Sequence, residues 1–77
     1  MSRPLHQIAR EIRKDWTNVN YAAVPYLGAM SDLTDITDAY HLDTGRSVVM
    51  YFLANARTWR GTKAKEIKAE LKAMLAK

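Results

Sequence analysis

Residues 48–54, Val-Val-Met-Tyr-Phe-Leu-Ala, are seven consecutive apolar residues, and they decide the fold. Their β-branched and aromatic side chains would also suit a buried strand. Asn55 and Ala56 continue the run, however, and the sequence offers no partner strand. The run therefore predicts a helix over residues 44–57, capped by Asp43 or Thr44. Because a helix that is apolar on nearly all sides is usually buried, we expect this one at the centre of the domain.

Three more helices are predicted around this run. The first covers residues 3–16, with Ser2 as a capping residue and Pro4 in the first turn. Its apolar residues recur at steps of three and four, which places them on one face: Leu5, Ile8, Ala9, Ile12 and Trp16. The second covers residues 21–31, with Pro25 in or near its first turn because proline disfavours α geometry in the residue before it. The last covers residues 62–76, and its predicted buried face comprises Ala64, Ile67, Leu71, Met74 and Leu75.

A connector joins the second predicted helix to the third. Within it Leu33, Ile36 and Tyr40 keep helical spacing, which predicts a short helical turn near residues 34–40. The fold class is therefore all-α, a compact small bundle of about four helices. The chain has 77 residues, of which 48% are hydrophobic and 26% charged. This composition is globular, and the length suits a single helical domain over residues 1–77.

The absence of cysteine excludes disulfides and thiolate zinc sites. No apolar run typical of a signal peptide follows Met1, and no stretch is long enough to span a membrane. We therefore expect a cytoplasmic protein without a membrane partner.

Charge is unevenly placed along the chain, whose net charge is +4. Residues 31–45 carry four aspartates and no Lys or Arg, whereas residues 46–77 carry eight basic residues against Glu66 and Glu70. An acidic middle and a basic end predict a dipolar molecule.

Catalysis is disfavoured by the residue pattern. His6 and His41 fall in different elements and form no zinc pair, and the sequence has neither a nucleophile elbow nor a glycine-rich phosphate loop. The aspartates do not follow the spacing of a calcium-binding loop. A domain this small also rarely encloses a small-molecule pocket. We expect no enzyme activity, no cofactor, no metal and no small-molecule substrate.

Residues 35–48 are weakly similar to a helix-turn-helix, a short helix followed by a turn and a second helix. A recognition helix must present polar side chains to base edges, and this second helix has almost none after Ser47. A buried core helix is the better interpretation.

Basic residues near the last helix form the candidate binding surface. Lys65, Lys68 and Lys72 share one helical face, where like charges weaken the helix. We therefore expect the fold to survive their joint removal. Such a cluster is explained if it meets an anion, which could be a phosphate, a partner's carboxylates or the acidic middle of this chain. A solvated lysine face is the alternative. The predicted site residues are Arg57, Arg60, Lys63, Lys65, Lys68 and Lys72.

Trp16 and Trp59 each end a predicted helix. Both are interpreted as core residues, Trp16 more firmly because it continues an apolar stripe. Tryptophan is also enriched at interface hot spots, so an anchoring role in an interface is the alternative.

Five segments of the chain resemble small proteins encoded by bacteriophages of actinobacteria and other Gram-positive hosts. They are Arg3–Ile12, Val24–Leu27, Tyr51–Ala56, Thr58–Gly61 and Ile67–Lys72, and the resemblance covers nearly the whole chain. It implies a phage accessory protein that works in the bacterial cytoplasm, and it assigns no functional residues.

Two classes of function remain open from the sequence. The first is a protein-interaction module that binds or inhibits a host or phage protein. The second is a nucleic-acid-binding accessory protein that uses the Arg57–Lys72 surface. We favour the first, because the basic residues are not interleaved with exposed aromatic residues.

Overall fold

Four α-helices, one 3₁₀ helix and one very short pair of strands make up the computed structural model, which describes residues 3–40 and 43–76. In chain order the elements are α1 (Leu5–Asp15), a 3₁₀ helix (Tyr21–Ala23), α2 (Val24–Met30), β1 (Ala39–Tyr40), β2 (Asp43–Thr44), α3 (Gly45–Ala54) and α4 (Thr62–Leu75). The predicted all-α class and its four helices are confirmed.

The helices alternate in direction, and side-chain hydrogen bonds between neighbours show the arrangement. The Asn20 side chain, just before α2, donates to the carbonyl oxygen of Asn55 just after α3 (3.0 Å). Arg46, at the start of α3, donates to the carbonyl oxygen of Leu75 at the end of α4 (2.6 Å). Each helix packs against the next, and α4 packs back against α1. The result is an up-down-up-down four-helix bundle.

The position predicted for α3 is wrong. This helix is one side of the bundle and packs mainly against α2 and α4. Val48, Val49 and Phe52 are buried, but Met50 and Tyr51 are 55% and 54% exposed. The apolar run therefore has a solvent face, and α3 does not lie at the centre.

The start of α1 also differs from the prediction. Pro4 occupies the capping position rather than the first turn, and Ser2 lies outside the described residues. The first two amide groups of the helix, on Leu5 and His6, donate to the carbonyl oxygens of Thr34 and Leu33, both at 2.9 Å. The connector thus supplies the hydrogen-bond acceptors for these two amide groups, in place of a capping side chain.

The core is a single cluster to which all four helices contribute. In α1 and α4 it contains the predicted residues Leu5, Ile8, Ala9, Ile12, Ala64, Ile67, Leu71 and Met74. Leu75, predicted on the buried face of the last helix, is only half-buried.

The connector between α2 and α3 is only partly as predicted. Residues 35–38 form one turn, in which the Asp38 amide donates to the Asp35 carbonyl oxygen (3.0 Å). Residues 39–40 are extended, however, and pair with β2 in antiparallel register, Ala39 opposite Thr44. The helical turn predicted over 34–40 therefore ends before residue 39. Thr44 caps α3 by accepting from the Ser47 amide (3.3 Å), as the sequence indicated.

Gly45 lets the connector reach the start of α3. Its amide donates to the Asp38 carbonyl oxygen (2.7 Å), and the Arg46 amide donates to that of Ile36 (2.8 Å). A Cβ atom at position 45 would lie 2.7 Å from the Asp35 carbonyl oxygen and 2.8 Å from the Ile36 Cα. Only glycine fits this close backbone approach without a shift.

Candidate basic binding surface

Three aromatic side chains close one end of the bundle and position the basic residues. The rings of Trp16 and Trp59 stack with centroids 5.8 Å apart, and Phe52 meets both edge-on at 6.2 and 6.4 Å. The Trp59 indole also donates to the Asp15 carboxylate (2.8 Å). Both tryptophans are core residues, as predicted, although Trp59 is the more deeply buried of the two.

The buried Trp59 fixes the loop that carries Arg57 and Arg60, both of which are exposed. Directly after Arg60 the chain turns into α4 at Gly61, whose φ of 116° lies in the region that L side chains rarely adopt. These two arginines therefore lie at the same end of the bundle as the start of α4.

Lys68 holds α4 against this loop. Its ammonium group donates to the Trp59 carbonyl oxygen (2.6 Å) and lies over the Trp59 ring, 5.8 Å from the centroid. The pKa of Lys68 lies below its ordinary value, chiefly because of burial and then because of the charges of Lys72 and Arg60. Arg60, Lys68 and Lys72 are therefore brought together. Lys68 therefore makes contacts within the fold. That the fold survives the joint removal of Lys65, Lys68 and Lys72 stays a prediction.

Lys63 lies on the other side of α4. Its ammonium group is 3.8 Å from the Glu11 carboxylate of α1. Of the six predicted site residues, it alone forms an ion pair within the part of the chain that the structure describes. The remaining five form what we call the basic surface: Arg57, Arg60, Lys65, Lys68 and Lys72.

The described aspartates of the acidic middle form no ion pair with the basic surface. Asp38 accepts from the amides of Asp35 and Thr34, both at 3.0 Å, and these bonds lower its pKa. Asp32, Asp35 and Asp38 make no ion pair with any described residue. The loop that carries these aspartates contacts the start of α1, whereas Trp59 contacts the end of α1. The loop and Trp59 are therefore separated by the length of this helix, roughly 16 Å at 1.5 Å per residue.

The edge of α4 that faces α1 is neutralised within the molecule. Arg3 donates to both carboxylate oxygens of Glu70 (3.0 and 2.7 Å) and also pairs with Glu11. The hydrogen bond with Arg3 is the main reason that the pKa of Glu70 is lowered. The basic surface, on the α3 side of the same helix, has no such arrangement in residues 3–40 and 43–76.

Sequence reasoning missed an uncharged surface on α2 and α3. The exposed large apolar side chains Tyr21, Val24, Met50 and Tyr51 all lie in or next to these two helices. The rings of Tyr26 and Tyr51 stack across them at 5.4 Å. The signal was present in the sequence, because residues 16–31 and 47–56 contain no charged side chain.

Other kinds of site find no support in the described residues. The helix-turn-helix alternative lacks its first helix, since residues 35–40 form a turn and a strand. No group of three or more acidic or histidine side chains in the described ranges is placed to hold a metal ion. Glu11, Lys14, Asp15 and Lys63 line only a shallow surface depression. None of the helices described here has the length and apolar character needed to cross a bilayer.

Comparisons with protein-family models, curated proteins and solved structures find no match to this chain. The resemblance to phage-encoded proteins therefore stays a prediction.

Proposed function

We propose that this chain is a non-enzymatic protein-interaction module whose basic surface binds an acidic surface of a partner protein. One observation carries the proposal: Lys68 and Lys72 lie one turn apart on α4, Lys68 reaches the Trp59 carbonyl oxygen next to Arg60, and no described carboxylate pairs with these three cations. Carboxylates of a partner would relieve the repulsion among them.

The basic surface contributes more to the long-range attraction of a partner than to the strength of the final contact. Exposed ion pairs each contribute only about 0.2–1 kcal/mol, and salt screens them over a Debye length of about 8 Å. The Arg57/Arg60 end of the basic surface lies roughly 16 Å from the acidic loop, which is beyond that distance. A partner with the opposite charge pattern would therefore be steered to this end of the molecule.

The same cations would also attract phosphates, so nucleic acid is the alternative partner. Single-stranded nucleic acids are usually bound by exposed aromatic side chains beside the basic residues. Here the aromatic residue beside the basic surface is Trp59, which is 2% exposed. This arrangement favours a protein partner.

The setting that we propose is the bacterial cytoplasm, with a host or phage protein as the partner. The resemblance of the five sequence segments supports this part of the proposal. It suggests a bacterial lysate as the source of partners.

A charge-matched pair of variants tests the proposal. The first combines Arg60→Gln, Lys65→Gln and Lys72→Gln, and it leaves Lys68 in place because Lys68 contacts Trp59. The control combines Arg10→Gln, Arg13→Gln and Lys14→Gln, which removes three exposed cations from α1 instead. In pull-downs from a nuclease-treated bacterial lysate, we expect the control to retain its partner and the first variant to lose it.

A salt titration against a 20-base-pair DNA duplex separates the alternatives. If the basic surface binds phosphates, the first variant should lower the log–log salt slope by about 3, or about 0.9 for each lost contact, and the control should not. That result, together with unchanged protein capture, would establish the nucleic-acid alternative. If both variants behave like the wild type in both assays, the basic surface is only solvated.

A further inference from the structure

We infer that the segment bound by this protein is an acidic amphipathic helix lying along the groove between α3 and α4. This inference rests on the proposed function and specifies the partner's chemistry. It follows from a row of apolar side chains beside the lysines of α4.

The apolar row begins where α3 and α4 meet. Arg46 reaches the Leu75 carbonyl oxygen, so this edge of α3 faces α4. Met50 lies one helical turn further along the same edge, and Leu53 follows almost one turn later. Met50 is 55% exposed and Leu53 is half-buried, so neither is fully covered by the fold.

The facing edge of α4 carries cations. Leu75, Lys72 and Lys68 follow one another at steps of three and four, which places them on one edge. Because the two helices are antiparallel, Lys72 and Lys68 lie at the level of Met50 and Leu53. Leu75 is half-buried and extends the apolar row.

The groove has no carboxylate of its own among the described residues. Glu70 lies on the opposite edge of α4, where it binds Arg3, and Glu66 lies one turn before it. In α3 the described residues include no acidic side chain. Charge complementarity therefore favours an anionic occupant, and the apolar row favours one with an apolar stripe.

The lengths of α3 and α4 suit a short helical partner. The 10 residues of α3 and the 14 of α4 span roughly 15 and 21 Å, the length of a helix of about 10–14 residues. Helices that bind in grooves use apolar side chains at one-turn intervals, the spacing shown by Met50 and Leu53. Methionine also adapts its shape to the side chains that contact it.

Two synthetic peptides test the groove directly. The probe is a 14-residue helical peptide with leucines at positions i, i+3, i+7 and i+10 and glutamates on both flanks. The control has the same composition with the leucines spread around the helix. We expect the probe to bind at least tenfold more tightly in fluorescence anisotropy, and amide chemical-shift changes to centre on Met50, Leu53, Lys68 and Lys72.

Two protein variants locate the binding site. Met50→Glu places a negative charge in the apolar row and should weaken probe binding at least tenfold. Tyr21→Glu adds the same charge at a side chain that is 91% exposed near α2, and it should change binding less than twofold. Circular dichroism checks that both variants remain folded.

The outcomes distinguish this inference from the proposed function. The groove is wrong if the two peptides bind equally, if neither binds, or if Met50→Glu behaves like Tyr21→Glu. In each case the pull-down with the Arg60/Lys65/Lys72 variant still decides the proposed function. If that variant keeps its lysate partner and also binds the probe normally, both proposals fail.

Discussion

The two sides of this bundle are held together by different forces. Where α1 meets α4, Arg3, Glu11, Glu70 and Lys63 form ion pairs above the shared core. Where α2 meets α3, the helices themselves contribute apolar and uncharged contacts, such as the stack of Tyr26 on Tyr51. The α1–α4 contact should therefore respond to pH and salt, whereas the α2–α3 contact should respond mainly to changes in shape and volume.

The difference also concerns function. On the α1 side of α4, ion pairs within the molecule neutralise charges that could otherwise attract a partner. On the α3 side the same helix keeps its cations and faces a helix that has no acidic side chain among its described residues. One helix thus has an edge that stabilises the fold and an edge that is available for binding.

The largest expected effect on stability is at Phe52 of α3, which packs beside the α1–α4 contact. Phe52 is fully buried and contacts both Trp16 and Trp59, so Phe52→Ala should lower the free energy of unfolding by about 3–5 kcal/mol. Its neighbour Tyr51 is half exposed, and Tyr51→Ala should cost about 1 kcal/mol or less, the range of an aromatic pair. Urea unfolding measures both, and equal losses would contradict the assignment of the buried face of α3.

A smaller effect is expected at Gly45. The added methyl group of Gly45→Ala meets the backbone of Asp35 and Ile36, and overpacking of this kind costs about 1–3 kcal/mol. The matched change Gly28→Ala meets no atom within 4 Å and should stabilise α2 by up to about 1 kcal/mol. Thermal unfolding should show shifts of opposite sign, and two shifts of the same sign would refute the close backbone approach.

The smallest effect concerns pH and the α1–α4 side. Because the folded state lowers the pKa of Glu70, its contribution is complete above the unfolded value of about 4.3 and is lost as pH falls through the lower folded value. Glu70→Gln should remove about 1 kcal/mol at pH 7 and flatten the acid limb of stability against pH. Urea unfolding between pH 7 and 3 measures this limb. Glu66→Gln, which removes an exposed carboxylate from the same helix, should leave its shape unchanged.

Much of the fold could be predicted because apolar spacing in α1 and α4 is regular. Every third or fourth residue from Leu5 to Ile12 and from Ala64 to Met74 is buried. The continuous run 48–54 has no such pattern, so the sequence could not show that Met50 and Tyr51 face solvent. The strands near residues 39–44 also escaped prediction, because backbone bonds to Asp38 and Ile36 determine that path.

The sequence could predict which residues belong to the candidate site, but not which contacts each of them makes. Spacing placed Lys65, Lys68 and Lys72 on one face, yet only the three-dimensional path of the loop brings the Trp59 carbonyl oxygen to Lys68. The ion pair of Lys63 with Glu11 likewise depends on how α4 packs against α1. Contacts between residues that are distant in sequence cannot be predicted from the spacing of residues within one helix.

The up-down-up-down order has a consequence for how the chain reaches its native state. Each helix docks onto its chain neighbour, so most loop closures on the folding pathway are short and the contact order is low. Helical bundles of this kind fold within about a millisecond. The exception is the docking of α4 on α1, which includes the Trp16–Trp59 stack and spans most of the chain. Because this closure carries the highest entropic cost, we expect the tryptophan fluorescence change to report the last step of folding.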